Sequence, residues 1–224
     1  MEKIGKIFRF LGMINFRSVY FNLKYFPLRT AIRLPVLVSS NVLLKCTEGQ
    51  IRIEGPIFTG VVRLGYGDMA LFDRRRSKGI WEVKGLVVFK GKAWIGQGTK
   101  ISVGQTGRII FGPDFEVTAN SAIVSYSEIE FGKKCLLSWD VLIMDTDFHA
   151  ILNAEGAVIN APKCIKIDDN VWIGCRSTIL KGSHVGPGNV IAAGTVVTKK
   201  LEGEQTIYGG PEAKILRENI TWKQ

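Results

Sequence analysis

Between Ile167 and Val197 an aliphatic residue returns at every sixth position: Ile167, Ile173, Ile179, Val185, Ile191 and Val197, with Gly174 and Gly186 after two of them. An ordinary helix repeats every 3.6 residues and an ordinary strand every two, so neither keeps that beat. A parallel β-helix of short strands and corners does, because three hexads close one triangular coil. In that geometry Ile167 stacks on Val185, Ile173 on Ile191 and Ile179 on Val197, all pointing into a narrow prism. Small or turn-forming residues then take the corners.

Upstream the beat starts at Phe89, Ile95 and Ile101, resets, and resumes at Phe111, Val117, Ile123 and Ile129. A two-residue slip places Phe131, Leu137, Ile143 and His149 on the next series. The loop AILNAEGAVINAPKC then interrupts it before Ile167. GDMALFDRRRSKGI, residues 67–80, reads as an excursion from the early coils. Its Arg74, Arg75, Arg76 and Lys78 suit a solvated loop, with a phosphate or anionic polymer as the competing reading.

Composition agrees with short strands and tight corners: 25 glycines accompany 46% hydrophobic residues. Cys46, Cys135, Cys164 and Cys175 have no metal-ligand spacing and read as small buried hydrophobes of a reducing cytosol. The net charge is +10. Residues 1–33 hold Lys3, Lys6, Arg9, Arg17, Lys24, Arg29 and Arg33 against Glu2 alone. Helical spacing of Ile4, Ile7, Phe8, Leu11 and Ile14 predicts a helix over 3–14. A second should cover 18–26 and end before Pro27. Alternation at Ile32, Leu34, Val36 and Val38 predicts a strand. The basic segment either caps the β-helix or lies, through residues 1–30, on an anionic membrane. Nucleic acid is set aside as a partner because it leaves the repeat unexplained. No apolar run reaches membrane-spanning length and no cleavage site follows the N-terminus, so the expected location is cytoplasmic, with peripheral contact at the inner face of the membrane.

The region from about Phe89 to Leu216, above all NVWIGCRSTILKGSHVGPGNVIAAGTVVTKK followed by IYGGPEAKI, resembles the hexapeptide-repeat acyltransferases. DTDFHAI and the basic N-terminal segment look closest to the branch that O-acetylates bacterial polysaccharides. The resemblance implies an all-β fold, a left-handed parallel β-helix, which the strand pattern upstream of Phe89 extends to 34–200, with excursions near 67–80 and 149–164. A helical segment (1–33) precedes it, and a turn with a short C-terminal helix (201–224) follows. It also implies acetyl-CoA as donor, no metal, a sugar or glycan acceptor, and a homotrimer with shared active sites.

Site residues follow from both readings. His149 falls where an aliphatic residue is due, and as general base its imidazole would take a proton from the acceptor hydroxyl. The competing role is a structural histidine ending the coil. Asp145, Asp147 or a backbone carbonyl would orient the ring. Asn120 resembles the family's asparagine one coil earlier, holding the acceptor or the oxyanion; a polar corner is the alternative. Trp139 and Trp172 would line the acceptor cleft or a subunit interface. The resemblance assigns Ala192, Ala193 and Gly194 to the pantetheine arm and Lys199, Lys200 and Lys214 to the phosphates, against corner packing and a solvated exit. His184 reads as an outward surface corner. No serine or cysteine stands in a nucleophile motif, so transfer is expected to be direct. N-acetylation of an amino sugar, or a β-helix that only binds, are the alternative functions.

Overall fold

Each coil of the chain lays one short strand on each of three flat walls. The computed structural model describes residues 12–67, 69–73 and 76–223. The first coil is β1 (Val36–Val38), β2 (Val42–Thr47) and β3 (Gln50–Ile53), and the second is β4 (Val62–Leu64), β5 (Gly79–Val83) and β6 (Leu86–Phe89). The third is β7 (Ala93–Ile95), β8 (Lys100–Val103) and β9 (Arg108–Phe111), and the fourth is β10 (Phe115–Ala119), β11 (Ala122–Ser125) and β12 (Glu128–Phe131). The fifth comprises β13 (Leu136–Trp139), β14 (Leu142–Met144) and β15 (Ile165–Ile167). Above it come β16 (Trp172–Ile173), β17 (Thr178–Leu180) and β18 (His184–Val185), then β19 (Val190–Ile191) and β20 (Val196–Val197). Every third strand pairs in parallel, giving three sheets that start at β1, β2 and β3. This is the parallel β-helix expected from the repeat, with the left hand implied by the family resemblance.

The six-residue beat is the inward row of that prism. Ile167 pairs with Val185, Ile173 with Ile191 and Ile179 with Val197, and all six are buried. The lower coils are longer. Ile109 and Ile129 are register partners two residues further apart than Ile167 and Val185, and Ile101 with Ile123 four further. That extra length is the slip seen in the sequence: Ile129 and Phe131 both point inward from one strand, β12. Phe89, Phe111 and Phe131 stack up the third wall, with ring centroids 5.1 and 5.5 Å apart. Close stacking also dictates glycine at position 96, where a Cβ would sit 1.9 Å from the Thr118 carbonyl oxygen.

Both ends of the prism differ from expectation. The predicted helix over 3–14 falls mostly outside the described residues. The second forms as α1 (Phe16–Tyr25), capped by the Asn15 side chain on the Arg17 and Ser18 amides, and it ends before Pro27. The strand predicted from Ile32 is confined to Val36–Val38. A short α2 (Leu28–Ala31) occupies the approach, Ile32 caps it, and Leu34 turns the chain at φ 47° before Pro35. Among the described residues 201–223 the expected short helix does not form. β21 (Ile207–Gly209) adds to the first wall beside β19, and β22 (Lys214–Arg217) folds back antiparallel on it, because β19 still offers an unpaired edge there.

The excursion between β4 and β5 is present, tied down where the Gln97 side chain donates to the Phe72 carbonyl (3.4 Å). Arg74 and Arg75 lie outside the described residues. Arg76 pairs with Asp73 at 3.6 Å, and both Arg76 and Lys78 are exposed. Among the cysteines only Cys135 is buried; Cys46 and Cys175 are half-buried and Cys164 is exposed, which corrects the buried reading for those three. No described helix is long and apolar enough to cross a membrane.

Candidate active site

Besides the excursion between β4 and β5, the described β-helix opens between β14 and β15. Residues 145–164 leave the edge between the second and third walls as a hairpin arm, slightly earlier than the expected 149. Its stem is held by the Leu152–Val158 bridge, and the Ile159 amide donates to Ile151 (2.9 Å). Phe148, Ile151, Leu152, Val158 and Ile159 are all exposed on it.

Asp145 begins the arm and is fully buried. Its carboxylate accepts from Ser125 Oγ (2.8 Å), the Tyr126 amide (2.7 Å) and the Ser127 amide (2.9 Å). Its own carbonyl receives the Lys163 amide at 3.1 Å. Asp145 therefore closes the gap in the coil from both sides, and the expected role as orienter of His149 is corrected. Without its carboxylate the part-buried Tyr126 and Ser127 amides would lose this acceptor, while Ser125 Oγ would keep the Arg108 carbonyl (3.0 Å).

Asp147 is the second anchor. Lys181 Nζ reaches its Oδ2 at 2.5 Å and Asn160 Nδ2 at 2.8 Å. The Lys181 ammonium, then the Asn160 amide, hold the Asp147 carboxyl below the usual aspartate range. The same Asn160 amide donates to the His149 carbonyl (2.8 Å), its Oδ1 accepts the Ile151 amide (2.6 Å), and Lys181 Nζ also donates to the Asn160 carbonyl (2.6 Å). This clamp fixes the His149 backbone. No described residue hydrogen-bonds the imidazole, so Asp147 positions the loop and leaves the ring free, correcting the expectation that either aspartate grips it. Asn160 and Lys181 were missed in the sequence, where an asparagine in a loop and a lysine near a corner carry no distinguishing pattern.

His149 is not on the inward row. The apolar row passes from Ile143 to Ile165 and Ile167, while His149 stands exposed on the arm. His184 is not a corner either. It lies in β18 beside the inward Val185, faces out, and its Nε2 meets Asp168 Oδ2 at 2.7 Å.

Asn120, Trp139 and the Ala192–Gly194 corner lie along the edge between the first and second walls, whereas Lys199 and Lys200 follow β20 toward the third. Asn120 turns that corner at φ 50°, as do Asp140 (56°), Arg176 (58°) and Gly194 (71°) in the coils above. Asn120 Nδ2 donates to Asp140 Oδ1 at 2.6 Å and its Oδ1 accepts Lys100 Nζ at 3.3 Å, so it is both a corner residue and part of a polar ladder. Trp139 is half-buried beside that ladder at the end of β13, and Trp172 donates to Ser138 Oγ (3.1 Å) and packs against Trp222. Two coils up, Ala193 and Gly194 are exposed and Ala192 half-buried; a Cβ at Gly194 would meet nothing within 4 Å. That open, small-residue corner has room for a slender chain. Lys199 pairs with Glu212 (3.4 Å) and Lys200 with Glu202 (3.7 Å), all at the surface, and Lys214 is exposed on β22. The structure thus gathers Asn120, Trp139 and the Ala192–Gly194 corner on one edge, and Asp145, Asp147 and His149 on the next.

The profile of the family described as "Bacterial transferase hexapeptide (six repeats)" matches residues 164–199. A polysialic acid O-acetyltransferase of Escherichia coli O1:K1 is 34% identical over 134 residues, 59% of this chain and 41% of that protein. The galactoside O-acetyltransferase of E. coli K12 is 30% identical over 128 residues, 56% of this chain and 61% of that one. The chain thus spans about two fifths to three fifths of the length of these relatives. The crystal structure of the polySia specific acetyltransferase NeuO superposes with a TM-score of 0.55 at 25% identity, covering 84% of this chain and 76% of that one.

Proposed function

From a chain that carries the bacterial transferase hexapeptide repeat, and whose relatives are sugar and polysaccharide O-acetyltransferases, we propose an acetyl-CoA-dependent O-acetyltransferase acting on a hydroxyl of a glycan, polysaccharide or precursor. The observation that carries the reading is the interruption of the β-helix between β14 and β15: an arm clamped by Asp147, Asn160 and Lys181 that holds one exposed histidine. The imidazole of His149 takes the proton of the acceptor hydroxyl as its oxygen attacks the acyl carbonyl, and a positioned base of this kind is worth about 10²–10⁴ in rate. Acetyl-CoA supplies the activated thioester: its C–S bond breaks as the ester C–O bond forms, and coenzyme A leaves as the thiol, taking back the proton held by the imidazolium. The open corner at Ala192, Ala193 and Gly194 suits its pantetheine arm, and Lys199, Lys200 and Lys214 its phosphates. Asn120 and Trp139 contact the acceptor.

One subunit keeps Asn120, Trp139 and the Ala192–Gly194 corner on one edge and His149 on the next, separated by second-wall strands of two to four residues, roughly 7–13 Å at 3.3 Å per residue. A site that uses both is completed by a second copy, whose neighbouring edge meets the apolar arm. This supports the homotrimer.

The test is thiol release from acetyl-CoA, with transfer to a panel of glycan acceptors, for wild type and His149→Ala. Turnover should fall by about 10²–10⁴ in the variant. Equal turnover by both proteins would overturn the base assignment. Acetyl-CoA turnover with no glycan in the panel would overturn the glycan acceptor class.

A further inference from the structure

Helix α1 caps β1 mainly through polar side chains and turns most of its apolar residues outward. Its inward face consists of Ser18, Phe21 and Asn22, all buried, and the two polar residues serve the backbone of β1. Its outward face, at positions i, i+3, i+4 and i+7, is Phe16, Val19, Tyr20 and Leu23. A surface helix ordinarily turns its apolar stripe to the core and its polar side to water. Here Phe16 is 83% exposed, and the strip continues through Leu28 and Ile32, also exposed. Its open 350 Å³ hollow is lined by Phe16, Val19, Tyr20, Leu23 and Lys24.

Charge selects the occupant. From residue 12 to residue 47 the sequence has no aspartate or glutamate, and Lys24, Arg29 and Arg33 are exposed around the strip. We propose that this face docks on the surface of an anionic lipid bilayer. Phe16, Val19, Tyr20 and Leu23 enter the headgroup–acyl boundary, and Lys24, Arg29 and Arg33 pair with lipid phosphates. A second copy of the same surface is a poorer partner, since two-fold pairing would set these cations against each other. The face lies at the N-terminal end of the prism, away from the arm, so its occupancy is separable from the proposed chemistry.

The experiment is sedimentation of the full chain with vesicles of phosphatidylcholine and phosphatidylglycerol, against phosphatidylcholine alone. Three proteins are compared: wild type, Phe16→Ser/Leu23→Ser and Arg29→Gln/Arg33→Gln. Wild type should bind the anionic vesicles in a salt-sensitive manner. The apolar double variant should bind at least about tenfold more weakly, and the charge variant should lose the preference for anionic lipid. Melting temperature and oligomeric mass should stay unchanged in both. Equal retention of all three proteins overturns the proposal. So does a fall in melting temperature or oligomeric mass, which would show the face buried against the chain itself or another copy.

Discussion

Asn22 and Val36 exchange two hydrogen bonds, Nδ2 to the Val36 carbonyl at 2.6 Å and the Val36 amide to Oδ1 at 3.1 Å. One helical turn earlier Ser18 does the same for Val38, at 3.2 and 2.9 Å. Two side chains of α1 thus stand in for the strand that a further coil would have supplied, and the edge of β1 is sealed. Asn22→Leu should cost about 2–3 kcal/mol, because it leaves two buried backbone groups unpaired. Leu23→Ser, one residue on but facing out, should stay within about 0.5 kcal/mol. Urea denaturation monitored by circular dichroism compares them, and similar losses would refute the sealing role.

This seal was hidden in the sequence for a physical reason. Asn22 and Ser18 belong to no apolar pattern, and Phe16, Val19, Tyr20 and Leu23 face solvent while Phe21 is buried, so periodicity points the helix the wrong way round. The upper coils were legible because strict hexads put every Ile and Val of the beat inward. Coils one and two were not, since longer strands and the 65–78 excursion blur the repeat. His149 illustrates the hazard of reading on: six residues after Ile143 it falls on the beat by number, but the chain has already left the coil at Asp145. The tail was misread because the edge of β19 attracts strands that local pattern alone assigns to a helix.

Phe111 lies between Phe89 and Phe131 in the aromatic stack and also touches Phe115 at 4.6 Å. Phe111→Ala should cost about 3–5 kcal/mol by opening a cavity in a closely packed prism. Phe111→Leu should retain most of that. Thermal melts of the pair measure the difference.

Cysteine reactivity should divide by position. Burial pushes the Cys135 thiol up to about 12, and its Sγ donates to the Asp168 carbonyl at 3.1 Å. Cys164, exposed at the foot of the arm, should react with Ellman's reagent in the native protein at mildly alkaline pH, while Cys135 reacts only after denaturation. Mass mapping of the modified peptides reads the order, and early labelling of Cys135 would contradict its burial.

The arm's clamp carries a pH signature. The folded state depresses the Asp147 carboxyl, so its contribution is complete above the ordinary aspartate value and is lost as pH falls through the lowered one. Limited proteolysis within 151–159, by a protease active in acid, should be slow down to the ordinary aspartate range and accelerate below it. Lys181→Met should show the fast rate at neutral pH and lose about 10–100-fold in kcat through misplacement of His149. Slow cleavage together with full activity in that variant would remove Lys181 from the positioning role.

Asn120 and His149 stand on different edges of one prism, which makes complementation between subunits a direct probe of where they act together. Asn120→Ala and His149→Ala proteins should each be nearly inactive alone. Unfolded together and refolded as mixed oligomers, they should recover a fraction of wild-type turnover. Each mixed interface that joins an intact Asn120 edge to an intact His149 arm rebuilds one complete site. Random assembly produces such interfaces in about a quarter of cases if each site draws one residue from each of two neighbours. Recovery near that fraction, with unchanged oligomeric mass, places the two residues at a shared site. Failure of the mixture to exceed its parents, with mixed oligomers verified by mass, would show that each subunit uses its own pair or that Asn120 serves only the corner.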